Sequence, residues 1–399
     1  MNETKRKYAR FILKDCLKVK KDQPLMITGY THVEDFMKLL EEEAKTMGLT
    51  DIYLKVEDKE KQRELLLSDE ENLENHICFN RSIWEEYAKK DAAFAHIVSL
   101  IPHLMDDVNP KKLSKLNTKL QKQISLYRER QNKGEIPWCI FAVPNEPWAK
   151  ELFHEENAFE KLWDTIFKIC GIYEEDPGKF WDKKLEEIER KTNVLNEMQI
   201  EKLHYTNDLG TDLTIYLPED YVWASAKDGE FIANMPTEEI FTSPQRDKTE
   251  GIVYSTKPLL YNGVFIDHFH LTFQEGKVVS IEAENGKEML EEMIKMDENA
   301  PYLGECALVD YDSPISNSRI VFEETLLDEN ASCHLAIGES FSECIKNGKT
   351  MSKEELFEKG LNQSLIHVDF MVGDATMKIV ATTKKGEEIT IMEEGNLII

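Results

Sequence analysis

"QPLMITGYTHVEDFMKLLEEEAKTMGLTDIYLKV", residues 23–56, decides the first half of the fold. It opens on a short apolar run ending at Gly29 and closes on a second one, "DIYLKV". Between them Val33, Phe36, Leu39, Leu40 and Ala44 recur at helical spacing until Gly48 stops the pattern. Strand, helix and strand in rotation imply a parallel sheet with helices against it. "AAFAHIVSLIP" (92–102) and "IPWCIFAVP" (136–144) repeat the theme, with a long charged helical stretch around 110–133 between them. No G-x-G-x-x-G follows any of these runs, so the sheet carries no sign of a dinucleotide site.

From about 174 to 200 the chain turns charged and helical, as in "KKLEEIERKTNVLNEMQ", and its character then changes. Residues 203–283 are rich in β-branched and aromatic residues broken by turn signals such as "NDLGTD" and "QEGK", which predicts antiparallel hairpins. A helix near 285–297, a helix over "ASCHLAIGESF", another near 352–360 and a closing hairpin "MKIVATTKKGEEITIM" complete the expectation. The fold class is α/β joined to α+β: an N-terminal α/β domain with a largely parallel sheet at 1–190, and a C-terminal α+β domain with antiparallel hairpins at 191–399. A chain of 399 residues is too long for one comfortable core, which agrees with two domains.

Bulk chemistry narrows the partners. A net charge of −27 repels phosphate backbones and anionic lipid, so neither nucleic acid nor a membrane is expected. The amino-terminal stretch mixes charges through its apolar positions, unlike a signal peptide, and no run approaches membrane-spanning length. Seven cysteines without a C-x-x-C pair suit reduced thiols, and the expected location is the cytoplasm.

The chemistry gathers in the second half. In "SLIHVDFMVGD" (364–374), period-two alternation points His367, Asp369 and Met371 one way and Val368, Phe370 and Val372 the other. A carboxylate in so apolar a strand needs a donor, a cation or a metal, because burying it alone costs several kcal/mol. His334 stands in "LLDENASCHLAIG" after Asp328, which reads as an N-cap, and Glu329, which would project from the turn leading into the helix. Glu250 in "RDKTEGIVY" and Glu305 in "YLGECALVDY" each lie beside a glycine at the edge of an apolar run. Taken singly, each is a solvated strand-end acid or a partly buried histidine. Together, four carboxylates and two imidazoles without thiolate suit zinc, cobalt or manganese in a two-ion catalytic site better than a closed structural zinc.

Four segments in unbroken order, "NMPTEEIFTSPQRDKTEGIVYSTKPL", "LGECALVDYDSPISNS", "TLLDENASCHLAIG" and "NQSLIHVDFMVG", resemble the signatures of the aminopeptidase T and aminopeptidase S family of two-metal exopeptidases. The resemblance covers most of residues 200–375. It implies metal ligands at Glu250, Glu305, Glu329, His334, His367 and Asp369, with Glu305 also able to take the proton of the attacking water. It further implies peptide substrates with a free amino terminus, and a homodimer. One position departs: the family carries a tyrosine seven residues after its first histidine, and here Phe341 stands in "HLAIGESF". A phenol there could donate to an oxyanion, a contribution typically worth about 10²–10³ in rate. A catalytically weakened or inactive peptide- or metal-binding paralogue is therefore the second expectation, unless Ser340 or Tyr254 supplies the hydroxyl. A two-metal phosphoesterase ranks last for want of a basic phosphate clamp. His268 and His270, His96 and His103, and Asn80, Arg81, Trp84 and Trp148 read as packing or outward-facing residues.

Overall fold

A computed structural model describes residues 1–225, 227–228, 231–261 and 264–399. The chain divides into two compact units, Met1–Lys184 with Lys227–Pro236, and Leu185–Ala226 with Thr237–Ile399. The division falls inside the helix Pro177–Glu197. Among the described residues no helix is long and apolar enough to cross a membrane.

The first unit carries a parallel five-stranded sheet in the order Asn234–Met235, Trp138–Ala142, Ala93–Val98, Leu25–Tyr30, Ile52–Glu57. Leu25–Tyr30 is buried along nearly all its length because it has a neighbour on each side and helices on its faces. The helix Glu34–Thr46 buries Phe36, Met37, Leu39, Leu40 and Ala44, the stripe its sequence spells, and Gly48 leaves it with φ 89°.

Within this unit His96 is a half-buried polar residue with a partner on each ring nitrogen. Its Nδ1 is 2.8 Å from Thr28 Oγ1 and its Nε2 is 2.7 Å from the Tyr127 hydroxyl. Trp84 stacks on the ring at 5.0 Å and 10°. Burial, helped by the Arg81 charge, pulls its pKa down to about 3, so it is neutral.

The second unit holds two large antiparallel sheets and a two-stranded one, Leu259–Tyr261 with Val264–Ile266. The eight-stranded one runs Lys277–Glu282, His270–Gln274, Glu250–Tyr254, Asp212–Tyr216, Ile200–Thr206, Lys378–Thr383, Glu388–Glu393, Asn396–Leu397. The five-stranded one runs His367–Met371, His334–Gly338, Leu303–Leu308, Ile240–Thr242, Ala224–Ser225. Here one expectation fails: "HLAIG" is not helical but the central strand of a trio, paired on both sides. Its apolar spacing is compatible with either structure, and tertiary pairing decides. The helix in this region is the short Thr325–Glu329, which ends at Glu329. Asp328 therefore caps nothing downstream; its Oδ1 accepts the Phe322 amide at 2.9 Å.

Candidate metal centre

Register across the five-stranded sheet builds the site. Ala336 pairs with Glu305 on one side and Asp369 on the other, His334 pairs with Ala307 and Met371, and Gly338 pairs with His367. Alternation then puts Glu305, His334, His367 and Asp369 on one face, over a floor of Ala307, Ala336 and Gly338. The opposite face, with Cys306, Leu335, Ile337, Val368 and Phe370, is buried core. Phe241 pairs with Ala307, so Glu239, two residues earlier, continues the polar face. A bulge between Leu303 and Glu305 inserts Gly304, where a Cβ would overlap the carbonyl oxygen of Glu339. Only glycine allows that approach, and Glu305 is aimed by it.

Two groups of three result. Ligand atoms of Glu239, Glu305 and His334 lie within 4.8 Å of one another, as do those of Glu305, His367 and Asp369. Glu305 belongs to both. His334 Nε2 is 3.2 Å from Glu239 Oε2, and His367 Nε2 is 3.0 Å from Glu305 Oε2 and 3.2 Å from Asp369 Oδ1. Each imidazole is oriented by the main chain: Nδ1 of His334 donates to the Glu329 carbonyl at 2.9 Å, and Nδ1 of His367 donates to the Glu339 carbonyl at 2.7 Å. That fixes the tautomer and leaves both Nε2 atoms facing the carboxylates. His334 is 1% exposed against 20% for His367, so the site opens on the His367 side.

Electrostatics report the crowding. Burial, with the charges of Asp369 and Glu239 added, pushes Glu305 up to about 7 despite its hydrogen bond with His367. Burial and the same two neighbours raise Glu329 well above the ordinary range. Burial works against the charged form of His334, but the hydrogen bond and charge of Glu239 outweigh it and push the imidazole up to about 10. His367 is likewise raised, burial being overcome by Asp369 and Glu305. Among the described residues Glu239, Glu305 and Asp369 form ion pairs only with these two histidines, and no lysine or arginine reaches them.

Five of the six residues expected as ligands are thus brought together: Glu305, Glu329, His334, His367 and Asp369. Glu250 stands apart. It is exposed on the eight-stranded sheet, where Oε1 accepts the Glu275 amide at 2.7 Å. Its glycine neighbour makes room for something else, since a Cβ on Gly251 would overlap the Asp212 carbonyl oxygen. The place that Glu250 was expected to fill is held by Glu239, only 6% exposed and in the same quoted segment. Its signal was "TEEIFTS", an acid at the mouth of an apolar run. Phe341 borders the cluster, its ring 4.5 Å from that of His367 and edge-on to Phe241 at 5.6 Å. Of the two other candidate hydroxyl bearers, Ser340 accepts the Asn362 amide through Oγ at 3.0 Å, and the ring of Tyr254 packs on His270 at 4.6 Å.

These residues fit a divalent cation. Asp369 Oδ1 is buried with only the imidazole of His367 beside it, and the donors are carboxylate oxygens and neutral-capable imidazole nitrogens converging from one rigid sheet. Comparison with known proteins gives the chemistry a class. Over residues 1–397 the sequence matches the family described as thermophilic metalloprotease, M29. Aminopeptidase AmpS of Bacillus subtilis is 39% identical over 398 residues, covering 98% of this chain and 97% of that protein. Aminopeptidase T of Thermus thermophilus is 30% identical over 402 residues, covering 98% of each. The solved structure of wild-type AmpT from Thermus thermophilus matches with a TM-score of 0.90 at 29% identity over 100% of both chains. The protein is a metal-dependent peptide hydrolase. It belongs to the M29 family of metalloproteases.

Proposed function

We propose that this chain is an aminopeptidase that works with a pair of divalent ions, zinc, cobalt or manganese, held by Glu239, Glu305, Glu329, His334, His367 and Asp369. The observation that carries the reading is the sharing of Glu305 between two sets of three donors. When bound, such a pair polarises a peptide carbonyl and acidifies water. The chain's own residues do the rest. The Glu329 and Glu339 carbonyls hold both imidazoles in one tautomer, and the small floor of Ala307, Ala336 and Gly338 leaves room above the sheet. The proton lost by the attacking water would pass to a carboxylate of the cluster, Glu305 or Glu329. Substrate enters on the more open His367 side, where the excess of carboxylates suits a free α-ammonium. The reading extends to a homodimer in a reducing, cytoplasmic setting, which the seven free cysteines support.

The test is release of single residues from unblocked peptides, lost on chelation and restored by cobalt, zinc or manganese, with acetylated peptides resistant. No cleavage under any of the three metals would refute it. A second reading rests on Phe341: the ring beside His367 brings no hydroxyl to a place where the resembling motif has one. On that reading the chain binds peptide amino termini and turns over slowly or not at all, which calorimetry would register as stoichiometric, persistent binding.

A further inference from the structure

The first unit contains a cavity of about 600 Å³ that the peptidase chemistry does not use. It lies at the amino edge of the parallel sheet. Lys20 to Pro24 lead into the strand Leu25–Tyr30, Lys90 and Asp91 precede Ala93–Val98, and Gly134 to Pro137 precede Trp138–Ala142. Three adjacent strands therefore begin at its floor. Ligands in open α/β sheets ordinarily bind at the opposite, carboxyl edge, so this is not the site that fold alone would predict.

The charge of this cavity runs against that of the whole chain. Lys18, Lys20, Lys21 and Lys90 line it, in a protein of net charge −27. Its acids are mostly spoken for. Asp91 and Glu135 both grip Arg130, at 2.7 and 2.9 Å, while Lys90 sits between Asp51 at 3.3 Å and Glu86 at 3.0 Å. Lys18, Lys20 and Lys21 form no ion pair among the described residues. Lys18 lies within electrostatic reach of Asp15, and the one other carboxylate lining the cavity is Asp22. Three exposed ammonium groups along one rim offer a multiply charged anion several partners at once.

The walls are built rather than accidental. Gln23 ties two of the loops, its Oε1 accepting the Lys20 amide at 3.0 Å and its Nε2 donating to the Asp91 carbonyl at 3.1 Å. Lys18, Asp22 and Asp91 all hold left-handed backbone, at φ 49°, 61° and 56°, a conformation that side chains other than glycine seldom adopt without a surrounding constraint. Phe231, Pro137 and Leu17 give one apolar wall beneath the lysine rim. The volume lies within the range of small-molecule sites.

We propose that this cavity is a binding site for a small phosphorylated ligand, its phosphates bridging Lys18, Lys20 and Lys21 and any flat ring resting on the wall that includes Phe231. Phosphate matches the rim because it offers several anionic oxygens to several ammonium groups at once. The source, a nucleotide or an inorganic polyphosphate, is separated by the wall: a ring gains from Phe231 and pyrophosphate does not.

The experiment is calorimetric titration of the full-length, metal-loaded protein with ADP, pyrophosphate and adenosine. ADP or pyrophosphate should saturate one site per chain, and adenosine should bind at least tenfold more weakly. Tighter ADP identifies a nucleotide site and tighter pyrophosphate an inorganic one. The double variant Lys20→Glu/Lys21→Glu, two exposed positions, should weaken the phosphorylated probe at least tenfold while its thermal unfolding without ligand stays unchanged. Three results would overturn the proposal: no saturable heat from either probe up to about 1 mM, equal affinity in the charge-reversed variant, or binding that disappears when the metals are chelated and persists when the lysines are reversed.

Discussion

Two packed environments in this protein treat the same side chain in opposite ways. His96, in the first unit, is surrounded by Thr28, Tyr127 and the face of Trp84, and burial holds it neutral with a pKa of about 3. His334 is more deeply buried still, yet a carboxylate faces it and its pKa rises to about 10. Burial penalises the charged form in both places, and only the neighbours differ. A histidine with hydroxyl and aromatic partners has everything it needs. One with its Nδ1 fixed and its Nε2 turned toward carboxylates, which repel each other, is half of an arrangement that a cation completes.

The comparison breaks most sharply at Glu305. Replacing it with alanine removes a donor from both sets at once, so kcat/KM is expected to fall by more than the 10–100-fold that loss of an outer-shell partner typically costs. Bound metal, measured on the purified variant, should fall with it. If metal content and activity both survive, Glu305 does not join the two sets.

Removing the cation should expose the cost of the acid cluster. A metal present at about a hundred times its dissociation constant stabilises the fold by roughly 2.7 kcal/mol. Chelation should therefore lower the unfolding midpoint by several degrees, and Glu239→Gln, which relieves part of the repulsion, should shrink the drop. Phe341→Tyr sharpens the same site from the other side. Set beside His367, a phenol is expected to raise kcat on an aminoacyl amide, by as much as the about 10²–10³ that one oxyanion donor supplies. An active parent with no gain on substitution would show that another group serves.

The effect farthest from the metal cluster belongs to His96 and appears in pH. Its folded pKa of about 3 lies below the ordinary 6.5, so between those values the unfolded chain binds a proton that the folded chain refuses. Stability contributed at this residue is complete above pH 6.5 and is lost as pH falls toward 3, at about 1.4 kcal/mol per pH unit. Denaturant titrations from pH 7 to pH 4 should show this slope flattened in His96→Gln.

Much of the architecture was legible because its signals are local. The helix 34–46 and the strands flanking it follow from apolar spacing, and the alternation in "HVDFM" placed His367 and Asp369 on one face. What escaped depends on pairing. His334–Gly338 looked helical because five buried residues in a row carry no period, and only strands on both sides make them extended. Glu239 escaped because its strand, Ile240–Thr242, is three residues long and its face is set by Ala307, far off in sequence. Glu250 attracted attention through Gly251, whose freedom serves the backbone of Asp212 instead.

The methyl group of Ala336, between Glu305 and Asp369, has a consequence of its own. Residues with no reactive atom decide how much volume the six donors enclose. A descendant that acquired valine or leucine at that position would keep every acid and imidazole of the signature and yet have nowhere to put an ion. Counting signature residues alone would score such a chain as competent, so the small side chains between the acids belong in any definition of what makes a relative active.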